Sequence, residues 1–236
     1  MTNRSIIFSG PMLRAILEGR KTQTRRVLKP QPSALEVRLN GIFGMTEYVS
    51  FTLCHAGGAN ETQTVRLPYA PGDTLWVKET WKTSIAYDDL MPSELAGEEP
   101  YKYLADGSVE TWGWQGPIRW GRIRSPIHMP RWASRLTLRV TDVRVQRVQE
   151  ISEGDAFAEG VEPDLQCCGN PDIEYDLSDH GEPINPRQGD CCGSPILASD
   201  PRETFRDIWN SINAKRGFGW GDNPWVAAIT FEVVDR

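Results

Sequence analysis

No stretch of the 236-residue sequence approaches the roughly 18 consecutive apolar residues that a membrane-spanning helix requires. The opening Met1-Thr2-Asn3-Arg4-Ser5-Ile6-Ile7-Phe8 has too short an apolar run for a signal peptide. A soluble, intracellular protein with no membrane partner is the expectation. Histidine is scarce: His55, His128 and His180 are the three in the chain, too dispersed for a histidine-centred catalytic site. A glycine-rich phosphate loop and a dinucleotide fingerprint are both missing. Cations are not in excess either. Lys+Arg number 26 against 32 Asp+Glu, a net charge of −6 that by itself points away from nucleic acid.

The distribution of those charges reverses that exclusion. Residues 14–26 carry a net +4 and residues 119–147 a net +7, leaving −17 on the rest. Half the cations therefore lie in two short segments, the footprint of a phosphate-facing surface. The alternative is arginines that merely solvate strand faces. The acidity is largely local to residues 150–207, where 15 acids face Arg187, Arg202 and Arg206.

Apolar residues make up 39% of the chain, enough for a substantial core. Ser5 to Ser9 reads as a strand, and Gly10-Pro11 opens a helix whose buried face is Met12, Leu13, Ile16 and Leu17, with Gly19 as its stop. Residues 22–27 alternate as a strand, and further strands are expected at Leu35–Leu39, Tyr48–Leu53 and Thr74–Trp81. Residues 84–117 read as loop-rich. Arg135 to Val148 alternates for a long stretch, with a change of face that predicts a bulge near Thr141-Asp142. A serine-capped helix runs from Ser152 to Glu159 and stops at Gly160. A longer helix spans Pro201 to Lys215 with Phe205, Ile208, Trp209 and Ile212 on one face, and Trp225 to Val234 closes the chain as a strand. The class is α+β: one domain over residues 1–236, a small, mostly antiparallel barrel with flanking helices and a long irregular insertion at about 162–199.

The segment with most chemistry is Gly19-Arg20-Lys21-Thr22-Gln23-Thr24-Arg25-Arg26. A lysine among cations has its charged form disfavoured and becomes a base, and a threonine hydroxyl needs such a base to act as a nucleophile. Strict strand alternation puts Lys21 and Thr24 on opposite faces, so their pairing requires a turn or twist at Lys21.

The spacing Gly-x-Lys-x-x-Thr-x-Arg, carried by Gly19, Lys21, Thr24 and Arg26, resembles the signature of the ASCH domain, a branch of the PUA-like barrels. The order of elements is similar too, including the Pro71-Gly72-Asp73 turn and the helix after the long strand. Residues 69–81 and 223–226 resemble the larger ASCH-like proteins of bacteriophages and prophages, which implies a bacterial or phage-infected cytoplasm. The threonine form of the motif resembles bacterial amidohydrolases that remove acetyl from N(4)-acetylcytidine. That resemblance implies Lys21, Thr24 and Glu159 as catalytic residues, with Glu153 and Glu79 competing for the glutamate's place. It requires no cofactor. A non-catalytic RNA-binding module, or a ribonuclease, is the competing expectation.

Nine tryptophans are many for one domain. Trp76, Trp209 and Trp225 fall at core periodicity, whereas Trp112, Trp114 and Trp120 lie in loop-like sequence where rings can stack on the bases of a nucleoside or single-stranded RNA. Arg25, Arg26, Glu79, Trp81 and Trp114 are the candidates for holding that substrate, and Arg26 or backbone N–H groups for its oxyanion. Cys167-Cys168-Gly169 and Cys191-Cys192-Gly193 form a near-repeat across the insertion. Reduced thiols and a structural zinc are both open there. Cys54 reads as a small buried residue.

Overall fold

A computed structural model describes residues 2–32, 36–42, 48–54, 60–114, 116–162, 165–166, 196–197 and 199–235; for 36–42, 165–166, 196–197 and 235 it describes the backbone alone. The chain runs β1 (Asn3–Ile7), α1 (Gly10–Leu17), β2 (Gln23–Val27), β3 (Glu36–Ile42), β4 (Tyr48–Cys54), β5 (Glu61–Arg66), β6 (Thr74–Lys78), β7 (Trp81–Ser84), β8 (Tyr101–Tyr103), β9 (Val109–Glu110) and β10 (Trp120–Arg124). It continues through β11 (Thr137–Arg147), α2 (Glu153–Ala158), β12 (Leu165–Gln166), β13 (Ile196–Leu197), α3 (Pro201–Asn213) and β14 (Trp225–Asp235). The architecture is α+β and mostly antiparallel. The central sheet has the order β1-β6-β11-β14-β2, and only its β1/β6 pair is parallel.

The helices begin where the sequence predicts, and α3 ends at Asn213, short of the expected Lys215, where the chain tightens into a 3-10 turn over Ala214–Arg216. Pro11 sits in the first turn of α1, and Leu13, Ala15 and Ile16 are its buried face. Ser152 caps α2 by accepting from the Asp155 amide at 3.1 Å, and Asp200 caps α3 through the Arg202 amide at 2.9 Å. On α3 the expected four-residue face narrows. Phe205 and Trp209, one turn apart, are buried among Val148, Ile151 and Ala156, whereas Ile208 and Ile212 lie on the rim and are each 38% exposed.

The long strand β11 shifts register against β14 between Val140 and Asp142, at the predicted bulge. That shift lets Leu138, Val140, Val143 and Val145 all face the core. A three-stranded sheet, β3-β4-β5, adds Val49, Phe51, Leu53 and Val65 to the same core, and the Phe51 ring meets Trp225 edge-on at 5.1 Å. Thr74–Trp81 is two strands rather than one. The chain leaves the central sheet at Glu79-Thr80, and β7 joins a separate sheet of order β10-β7-β8-β9 around Trp81, Tyr101, Tyr103 and Met129. Strands β8 and β9 therefore lie inside the stretch expected to be loop.

The described strands do not close into a barrel: β1 and β2 are the two edges of the central sheet. A side chain spans the gap. Arg26 on β2 donates from Nη2 to the Ile7 carbonyl oxygen of β1 at 2.9 Å, with its guanidinium over the Phe8 ring. At the base of the insertion, β12 pairs antiparallel with β13, Leu165 opposite Leu197.

Candidate functional site

Two left-handed glycines shape the motif loop. Gly19, at φ +78°, ends α1 and turns the chain so that the Lys21 amide donates to Ala15 O at 2.9 Å. Gly160, at φ +90°, ends α2 in the same way. Between them Lys21 and Glu159 form an isolated antiparallel bridge, and the Thr22 amide donates to Ala158 O at 2.9 Å. The contact is close. A Cβ on Gly160 would lie 3.0 Å from the Ala15 Cβ and 3.1 Å from the Lys21 Cβ.

This bridge brings the motif lysine onto the glutamate at the end of α2. Lys21 Nζ donates to Glu159 Oε2 at 2.7 Å and to the Glu159 carbonyl oxygen at 2.7 Å. The Lys21 side chain has no exposed surface, and that of Glu159 is 6% exposed. The other carboxylate oxygen, Oε1, accepts from Arg25 Nη1 at 3.1 Å. Arg25 Nη2 donates to Asp155 Oδ2 at 2.9 Å, and Arg144 on β11 reaches Asp155 Oδ1 at 2.8 Å. Gln23 completes the set, accepting from Arg25 Nη1 at 2.6 Å and donating to Asp155 Oδ1 at 3.2 Å. Cations and carboxylates thus alternate from Lys21 to Arg144, with three positive and two negative groups.

Burial lowers the Lys21 pKa from its ordinary 10.5; the charge and hydrogen bond of Glu159 oppose this, and the like charges of Arg26 and Arg25 add to it. Burial works to raise the Asp155 carboxyl, but the hydrogen bond from Arg144 and the charge of Arg25 hold it below its usual range.

Lys21, Arg25 and Glu159 therefore converge. Thr24 is buried on the same strand, 4% exposed, but among the described residues no hydrogen bond joins it to Lys21 or Glu159. Alternation along β2 assigns Thr24 to the face of Arg26, opposite Gln23 and Arg25. Of the competing glutamates, Glu153 is exposed, and Glu79 is held elsewhere by a two-pronged contact from Arg135 at 2.8 and 3.0 Å. Trp81 is fully buried in the β7–β10 core, whereas Trp114 is 44% exposed and Trp112 63%. Cys167, Cys168, Cys191 and Cys192 lie outside the described residues. Among those described, no group of three His, Cys, Asp or Glu side chains is placed to hold a metal. Cys54 is half-buried.

Sequence reasoning missed Gln23, Arg144 and Asp155. The signal for Asp155 was present: it precedes Glu159 by four residues, the spacing that puts two side chains on one helical face. Arg144 carried no such mark, because only the fold brings β11 beside α2.

Comparison with family models, with curated proteins and with solved structures found no match for this chain.

Proposed function

We propose that the protein is an ASCH-like member of the PUA-like barrels and hydrolyses the amide of an acylated nucleoside of the N(4)-acetylcytidine type. The observation that carries this reading is the 2.7 Å contact between Lys21 Nζ and Glu159 Oε2, whose side chains are almost wholly out of water. The motif lysine meets, across 138 positions, the same glutamate that the family resemblance selects.

In this reading the buried pair exchanges one proton. Transfer from Nζ to the Glu159 carboxylate leaves a neutral amine as base and a carboxylic acid as proton donor. The step requires β2 to twist so that the Thr24 hydroxyl reaches the amine, which then takes its proton as Oγ bonds to the acetyl carbon. Glu159 then protonates the cytosine amine as the C–N bond breaks, leaving an acetyl ester on Thr24. Water cleaves that ester to acetate and restores the hydroxyl. Arg26, the other cation of the motif, leaves the Ile7 carbonyl oxygen in this reading to bind the developing oxyanion.

Incubation with N(4)-acetylcytidine tests the reading through release of cytidine and acetate. Turnover by the wild type that is lost in Lys21→Ala and Thr24→Ala supports it, and no turnover on any acylated nucleoside overturns it.

A second reading has its own observation. Trp112 and Trp114 present exposed rings close in sequence to the exposed Arg119 and Arg122, a combination suited to stacking and phosphate contact with single-stranded RNA. Such binding weakens steeply with salt. Salt-insensitive or absent binding counts against it.

A further inference from the structure

We infer that Arg25 is a positioning residue: its guanidinium fork ties the Glu159 carboxylate to Asp155, one helical turn earlier, and so holds Glu159 against Lys21. The inference rests on the proposed acid–base role of the Lys21–Glu159 pair. Arg25 is one of the residues expected to touch the substrate, yet its side chain has no exposed surface. Nη1 is committed to Glu159 Oε1 at 3.1 Å and Gln23 Oε1 at 2.6 Å, and Nη2 to Asp155 Oδ2 at 2.9 Å. The Phe205 ring of α3 covers the guanidinium, 5.6 Å from its Cζ. Among the described residues Nε lacks a partner, but it is buried with the rest of the side chain and faces no solvent through which a ligand would reach it.

The geometry needs arginine in particular. Two carboxylates on one short helix accept from two different nitrogens of one planar group, which a lysine ammonium cannot span in the same way. Asp155 is itself fixed by Ser152, whose side chain accepts from the Asp155 amide, and by Arg144 and Gln23. The frame that sets Glu159 thus draws on α2, β2 and β11. Without the fork, Glu159 keeps Lys21 as its one cation partner among the described contacts.

The test is a titration of the Lys21 amine by nitrogen NMR in protein labelled at lysine, with the signal assigned by its loss in Lys21→Arg. The charged groups acting on Lys21 are Glu159 at the end of α2 and Arg25 and Arg26 on β2. The attraction of Glu159 outweighs the repulsion from Arg25. In Arg25→Gln, a Glu159 that swings away removes the larger influence, so Lys21 loses its proton at lower pH than in the wild type. A Glu159 that stays in place removes only the repulsion, so an unchanged or higher titration overturns the inference. Arg25→Lys keeps the charge without the fork and gives the same sign if Arg25→Gln does not fold.

Kinetics give a second arm. With the acetylated nucleoside, Arg25→Gln lowers kcat by about a hundredfold, the scale of a misplaced catalytic group, with KM little changed. A raised KM at preserved kcat makes Arg25 a substrate contact and overturns the inference. Absence of wild-type turnover removes the proposed function alone, because the Lys21 titration is read without substrate.

Discussion

Lys21 Nζ lies 2.7 Å from Glu159 twice over, once at its carboxylate Oε2 and once at its carbonyl oxygen. The double contact fixes the ammonium against the last residue of a helical turn, and the main-chain bridge between the same residues fixes the backbones with it. A surface ion pair is worth little because water competes for both charges. Here both side chains are out of water, so loss of one partner strands the other.

Removing either partner should therefore destabilise the fold strongly. Lys21→Met and Glu159→Gln are each expected to cost about 3 kcal/mol, the lower end for a broken buried pair, because Glu159 keeps Arg25 in the first and Lys21 keeps the carbonyl oxygen of residue 159 in the second. The double variant should lose less than the sum, by between about 0.5 and 3 kcal/mol, since the two side chains touch. Urea unfolding of the three variants measures the coupling; strictly additive losses would show that the pair does not interact.

Gly160 and Gly19 make a matched comparison. Both have positive φ, but a Cβ at Gly19 meets nothing within 4 Å, whereas one at Gly160 collides with Ala15 and Lys21. Gly19→Ala should cost about 1–2 kcal/mol, the penalty of a left-handed backbone. Gly160→Ala should cost more and disturb Lys21 as well. Equal melting temperatures for the two variants would contradict the close approach.

The pH dependence of hydrolysis follows from the direction of the Lys21 shift. The pair must hold one proton to supply both base and acid, so activity should fall as pH rises through a limb centred below 10.5, where burial and like charges have brought the ammonium. Arg26 is one of those like charges. Its removal in Arg26→Gln makes the proton easier to keep, raises the pKa and moves the limb to higher pH. A limb that stays in place or moves down would contradict this electrostatic account.

Acid stability should report a different cluster. Burial opposes ionisation of Asp106, but hydrogen bonds from Arg135 and Ser108 bring its pKa from 3.8 to about 2. A carboxyl depressed on folding contributes stability above its unfolded pKa that is lost as pH falls through the folded one. The wild type should therefore lose stability between pH 3.8 and about 2, and Asp106→Asn should lose less over that window. Melting temperatures across the window check it, and parallel curves would contradict it.

How much of this was legible beforehand depended on whether the signal was local. The ends of α1 and α2 and the start of α3 were readable from Pro11, Ser152, Pro201 and the two stop glycines, since capping is decided within a few residues. The β11 bulge was readable from a change of apolar face. Strand β5 was not, because Glu61, Thr62, Gln63 and Thr64 are polar and only Val65 is buried. Nor was the break at Glu79-Thr80, where an unbroken run of strand formers passes from one sheet to another. At the site, Lys21 and Glu159 were named from a motif and a resemblance, and the fold brings them into contact. Arg25 was named as a substrate contact, and the fold sets its guanidinium against Glu159, Asp155 and Gln23, since a sequence does not show which carboxylates will surround a buried guanidinium. Charge counting found a basic segment in 119–147 but not that Arg135 is spent on Glu79 and Asp106, and Arg144 on Asp155.

The most direct measurement is acid-quench mass spectrometry of the protein mixed with N(4)-acetylcytidine. The account predicts an acetyl group on Thr24, formed by the wild type, formed more slowly in Glu159→Gln, which lacks the proton donor for the leaving amine, and absent from Lys21→Ala. Cytidine release with Thr24 unmodified at every quench time, or no release at all, would contradict it.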